Sequence, residues 1–155
     1  MRKLTLLFLL ICGCAGRLSV MEGTAGSYWN WGGGSGRRGA ASSEITPPLK
    51  KLWQQKLSGA PARAVCAAGS LLFCPTKRGA IEVLNSRTGE KIDALSGRKR
   101  ESCTCLVWNS RIAEIRRNNP TGVKVSSLAT GKEIWSLNTG PVESEPLLYR
   151  GRLII

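Results

Sequence analysis

The chain has 155 residues, with 23 Lys plus Arg against 10 Asp plus Glu and a formal charge of +13. It contains no histidine and only one aspartate, Asp93. That excludes His-based acid–base catalysis, Ser-His-Asp and Cys-His nucleophiles and His-ligated metals from these residues. The composition, 42% hydrophobic and 21% charged, is globular, and 18 Gly with 7 Pro favour an all-β chain with many turns.

Residues 1–13 read as an export signal, a short helix removed from the mature chain. Met1-Arg2-Lys3 is the basic start, and Leu4 to Ile11 is apolar apart from Thr5. This run is too short to span a bilayer, which takes about 20 helical residues. Ile11-Cys12-Gly13-Cys14 resembles a bacterial lipobox, in which an aliphatic residue lies three before the modified cysteine and a small one directly before it. Cys14 meets both requirements; Cys12 does not, because Ile11 directly precedes it. The resemblance implies an acylated Cys14, and Ala15 is not the Asp that marks inner-membrane retention. The expected location is the periplasmic face of the outer membrane, with a lipid anchor; an ordinary cleaved signal is the alternative.

Residues 14–48 form a flexible Gly- and Ser-rich tether and lead-in. Gly23, Gly26, Gly32, Gly33, Gly34, Gly36 and Gly39 cannot sustain a helix or a central strand. Pro47-Pro48 closes the segment with an extended step. Tyr28, Trp29 and Trp31 are expected to pack back on the end of the domain rather than on a membrane or partner, because aromatic area is costly to leave wet.

Residues 49–155 form the third unit, organised by a period of about 41 residues. Thr88-Gly89 returns as Thr130-Gly131, 42 residues later. Leu71, Ile112 and Leu153, each just after a small or polar turn, are spaced 41 and 41. Short β-like runs bounded by Gly, Pro, Asn or Ser predict strands near 49–57, 62–67, 70–76, 80–85 and 91–95. The next set falls near 103–108, 111–116, 122–128 and 132–137, and a third begins at 144–149 and 152–155. Four strands per repeat predict a β-propeller blade, and the segment holds roughly 2.6 blades where a closed ring takes about 4–8. The chain therefore reads as a partial propeller, the N-terminal part of a longer protein whose other blades lie outside it.

Leu128-Ala129-Thr130-Gly131-Lys132-Glu133-Ile134-Trp135 resembles the tryptophan-docking motif of PQQ-type β-propeller repeats. Leu84 to Ile92 resembles a second copy, with Asn85 at the usual Asp position and no Trp after Ile92. Ser144-Glu145-Pro146 and the hairpin after it resemble the next half-repeat, and Pro48 to Trp53 resembles the opening strand. The repeat-motif residues are thus Trp53, Thr88, Gly89, Thr130, Gly131 and Trp135. Gly89 and Gly131 are expected to turn the chain at φ > 0, and Trp53 and Trp135 to bury their rings between blades. The missing Trp after Ile92 predicts a weaker contact there.

No chemistry rises from the remaining residues. Quinoprotein dehydrogenases with this repeat need a quinone, a Ca²⁺ held by carboxylate and amide oxygens, and a vicinal Cys pair. Here the mature chain has no adjacent cysteines, and the glutamates read as scattered surface or turn residues, so no catalytic, cofactor or metal site is expected. Cys66, Cys74, Cys103 and Cys105 lack zinc spacing. A turn at Ala68-Gly69 would set Cys66 opposite Leu71; buried free thiols are expected, with a Cys66–Cys105 bridge as the alternative. The basic clusters Arg37-Arg38, Lys50-Lys51, Lys77-Arg78, Arg98-Lys99-Arg100 and Arg116-Arg117 are all placed at turns or loops. In an exported chain they suit envelope partners rather than nucleic acid. The family resemblance extends to BamB-like outer-membrane assembly lipoproteins, and it implies a noncatalytic scaffold that meets the barrel-assembly insertase. A piece of a quinone-dependent dehydrogenase and a generic extracytoplasmic ligand-binding propeller stay open as alternatives.

Overall fold

A computed structural model describes residues 28–29, 46–62, 65–95, 103–116, 122–140, 142 and 146–155. Among them the chain is all-β, in three antiparallel sheets that do not close on one another. The first sheet has the order β1 (Tyr28–Trp29), β2 (Cys66–Ala68), β3 (Leu71–Pro75), β4 (Ile81–Asn85) and β5 (Lys91–Leu95). The second runs β6 (Cys103–Trp108), β7 (Arg111–Arg116), β8 (Val123–Ser127) and β9 (Glu133–Leu137). The third is the hairpin of β10 (Leu147–Tyr149) and β11 (Arg152–Ile154).

Most expected strands are present within a few residues, and two differences are physical. The run 49–57 makes no ladder; the Trp53 side chain ties it to the first sheet through the Ser86 carbonyl. The run 62–67 shortens to β2, whose free edge is taken by β1, a strand inside the Gly-rich lead-in. Tyr28 and Trp29 are strand-favouring aromatics inside the Gly-rich segment, and at an edge only one side is paired. The Pro47-Pro48 peptide is cis, not the extended step expected. The export signal, Cys14, Trp31, Arg37-Arg38 and Arg98-Lys99-Arg100 lie outside the described residues.

Two-residue turns set the hairpin register. Ala68 pairs with Leu71, Trp108 with Arg111, and Tyr149 with Arg152. Asn109 and Ser110 both have positive φ, as do Arg150 and Gly151, which is the type I′ geometry that matches strand twist. The structural counterpart of Leu71 is therefore Arg111, not Ile112, so the apolar marker read from the sequence slips by one in the first repeat. The same turn places Cys66 opposite Phe73 and not Leu71.

Alternation along the strands gives the second sheet two apolar faces. One packs on the first sheet through Cys105, Val107 and Ile112 against Cys66, Phe73, Ile81 and Val83. The other, Leu106, Trp108, Ala113, Ile115, Val123 and Val125, receives Val142 and the partly buried Leu148 and Leu153. Three sheets are thus stacked face to face, with one core in each gap. At about 25 cal/mol per Å² of apolar area, these cores are the main source of stability.

Cys66, Cys74 and Cys105 are buried thiols outside any disulfide, as expected of cysteines acting as small hydrophobes. Burial pushes the Cys66 thiol up to about 11, against the partial relief of a hydrogen bond with the Val107 backbone. Burial, then the nearby Glu82 carboxylate, also raises Cys74. A raised folded-state value means stability is intact below the ordinary value of 9.0 and declines as pH climbs towards about 11. Urea melts from pH 8 to 11 should show this decline, and Cys66→Ala should flatten it by roughly 2–3 kcal/mol. Parallel curves would refute the assignment.

Candidate functional site

The two Thr-Gly turns are built alike. In the first, the amide of Gly89 donates to the Asn85 carbonyl and that of Asn85 to the Glu90 carbonyl. In the second, Gly131 donates to Ser127 and Ser127 to Lys132. The Thr88 and Thr130 hydroxyls accept from the amides two residues on, and Asn85 and Ser127 side chains accept from the turn's own amides. Gly89 and Gly131 take φ of 74° and 67°, the left-handed region expected of them.

Trp53 uses the first turn as a platform. A Cβ added to Gly89 would lie 2.5 Å from ring atoms of Trp53, so the half-buried indole rests directly on the glycine backbone. Its Nε1–H donates to the Ser86 carbonyl at 3.0 Å. The absence of a side chain at Gly89 is thus what admits the ring. The ring and the turn meet across a sheet face, although the strand expected around Trp53 does not form.

Trp135 behaves differently from the expectation of a buried ring. It stands 40% exposed on β9, and Ile134 and Leu137 beside it are 47% and 50% exposed. The reason is its position: β9 is the rim of the second sheet, and among the described residues no turn like that at Gly89 stands in front of the ring. The register also identifies what replaces the missing tryptophan. Trp135 pairs with Val125, and Asp93 pairs with Val83 at the same place before the bulge in the first sheet. The chain's single aspartate occupies the tryptophan position. Aligning the two Thr-Gly turns and reading one residue past Ile92 would have found it.

Two glutamates expected at the surface are buried. Glu82, 1% exposed, accepts hydrogen bonds from the amide and hydroxyl of Ser58 and lies 3.2 Å from the Lys91 ammonium. Glu114 and Arg116 are buried together with 2.8 Å between Oε2 and Nη2, and Lys124 stands 4.0 Å away. Strand alternation puts both carboxylates on covered sheet faces, where pairing replaces water. Arg116 is accordingly a buried residue of β7 and not the loop charge expected. Among the described residues no cluster of three metal-ligating side chains forms.

Burial opposes the charged form of Glu82, but Ser58 and Lys91 together outweigh it and hold the carboxyl below its ordinary value. The sign follows: this stabilisation is present above the unfolded carboxyl value and is lost as pH falls through the folded one. Acid melts of wild type and Glu82→Gln should converge as pH falls below about 4, with wild type the more stable at neutral pH. A constant gap between them would refute it.

What the arrangement offers a partner is the rim at β9. Its five residues are all exposed, three of them apolar, and its outer backbone edge is unpaired among the described strands. A scan against protein-family models finds no match, and no curated protein matches the chain.

Proposed function

We propose that this chain is a noncatalytic, lipid-anchored scaffold of the periplasm, built as part of a PQQ-type β-propeller and docking other envelope proteins. The observation that carries the reading is the exposed apolar rim of β9, with Ile134, Trp135 and Leu137 on an unpaired edge. An edge strand bearing large apolar side chains is a template for an added strand from another protein. Aromatic residues in such a patch carry a large share of binding energy. The stacked sheets, the matched Thr-Gly turns and the Trp53 platform support the propeller part of the reading. The BamB-like resemblance makes the periplasmic domains of the barrel-assembly insertase the first partner to test.

A photo-crosslinking residue in place of Ile134 in the full chain, expressed in a Gram-negative envelope, tests the partner. The expected result is an adduct with the insertase that Trp135→Ala and Leu137→Ser reduce at least tenfold. Absence of adducts from a chain shown to be acylated at Cys14 would overturn the partner assignment. Loss of lipid labelling in Cys14→Ser checks the anchor, and quinone-dependent dye reduction by the purified chain would overturn the noncatalytic reading.

A further inference from the structure

The first and second sheets do not meet everywhere. Between them, beside the second Thr-Gly turn, lies an open cleft of about 170 Å³ lined by Asp93, Leu95, Glu114, Lys124, Ser126 and Gly131 among others. Its position is set by the repeat. Gly131 and the Leu128 carbonyl are the counterparts of Gly89 and the Ser86 carbonyl, which hold the Trp53 indole in the first repeat. The equivalence is in the hydrogen bonds as well as the sequence: Ser86 donates to Ser70, and Leu128 donates to Ser110. In this second copy the side chain that would bring an indole is Asp93, whose carboxylate leaves the ring's volume unfilled.

Two further observations mark the cleft as a site for a ligand. Ser126 on its wall is 5% exposed, and its hydroxyl has no hydrogen-bond partner. The matched position in the first sheet, opposite Leu72 as Ser126 is opposite Ile112, is the apolar Leu84. A buried hydroxyl left unsatisfied costs about 1–3 kcal/mol unless something binds to it. Asp93 has a carboxylate oxygen beyond the one that accepts the Ala94 amide, and among the described residues it makes no ion pair. The other carboxylate, Glu114, is already neutralised by Arg116 and Lys124. At about 170 Å³ the cleft has room for one planar ring, a benzene ring needing about 150 Å³.

We propose that the cleft binds an arylalkylamine: a flat aromatic ring laid on Gly131 in the manner of Trp53, with its ammonium on the Asp93 carboxylate. Ser126 donates to or accepts from the ring substituent. Tryptamine is the probe, because its indole reproduces the ring already accommodated at Gly89 and its amine reaches one acidic group. Titration of the full chain by calorimetry should show binding, with Asp93→Asn weakening it about tenfold through loss of the charge contact. Indole, which lacks the amine, should bind wild type and Asp93→Asn alike. Asp93→Trp places the repeat's own indole in the cleft and should abolish tryptamine binding while raising the melting temperature. Should that variant fail to fold, Ser126→Leu, which installs the first sheet's residue, provides the same block. A tryptophan-containing peptide that competes with tryptamine would place the source of the ring in a partner protein, and no competition would place it in a small molecule. No binding of tryptamine, or binding that both Asp93→Trp and Ser126→Leu leave unchanged, overturns the proposal.

Discussion

Gly89→Ala should destabilise the chain by about 2–4 kcal/mol, well above an ordinary turn substitution. Two effects combine. At φ 74° any L side chain pays roughly 1–2 kcal/mol for the left-handed conformation. The new methyl would also lie 2.5 Å from the Trp53 ring, so the indole must leave its platform and give up the hydrogen bond to Ser86. Gly69→Ala separates the two effects. It has φ 58° and nothing within 4 Å of an added Cβ, so it should show the backbone cost alone, about 1 kcal/mol. Urea unfolding followed by circular dichroism measures both. In a Trp53→Ala background, Gly89→Ala should fall to the Gly69 value, because the clash has been removed in advance. Equal losses at the two glycines in the wild-type background would show that the ring does not rest on Gly89.

Glu114→Ala should cost about 3–5 kcal/mol, because it removes a carboxylate 2.8 Å from the buried Arg116 guanidinium. The loss belongs to the weaker neutralisation of a buried charge rather than to the ion pair itself. Glu114→Leu with Arg116→Met should therefore recover most of it, since neither charge then remains to be desolvated. Lys124, more exposed and 4.0 Å from Glu114, should matter little; Lys124→Ala is expected to change stability by less than about 1 kcal/mol. Denaturant midpoints of the three variants check the pattern. If the double variant were as unstable as Glu114→Ala, the pair would be holding the sheets by some means other than mutual neutralisation.

Much of the fold was legible because each strand is short, bounded by Gly, Pro or polar turns, and repeated. Thr88-Gly89 and Thr130-Gly131 announced the sharp turns because only glycine takes that φ without strain. A strand is expected around Trp53 because a short run lies between Pro48 and Gly59, yet its apolar residues, Leu49, Leu52, Trp53 and Leu57, do not alternate, and the indole and Ser58 hold the segment through side chains instead. The hairpin marker slipped by one residue because Leu71 and Ile112 are both apolar, while the pairing of Arg111 with Trp108 is fixed by Asn109 and Ser110 in positive φ. Composition places Glu82 and Glu114 at the surface because it does not reveal which sheet face is covered; that depends on how two sheets stack. Asp93 was visible as the only aspartate, but its meaning required the register that sets it opposite Val83 as Trp135 is opposite Val125.

The pairing scheme also governs how the chain reaches its native state. From β2 onward every ladder within a sheet joins strands that follow one another in the sequence, so each hairpin closes a short loop at small entropic cost. Such local topology lets the sheets form separately and then collapse face on face, the low-contact-order route that favours speed. The N-terminal segment is the exception. Trp53 reaches the Ser86 carbonyl across 33 residues, and β1 must wait for β2 before it has an edge to join. The indole on Gly89 is thus a late latch on a sheet that its own hairpins have already assembled.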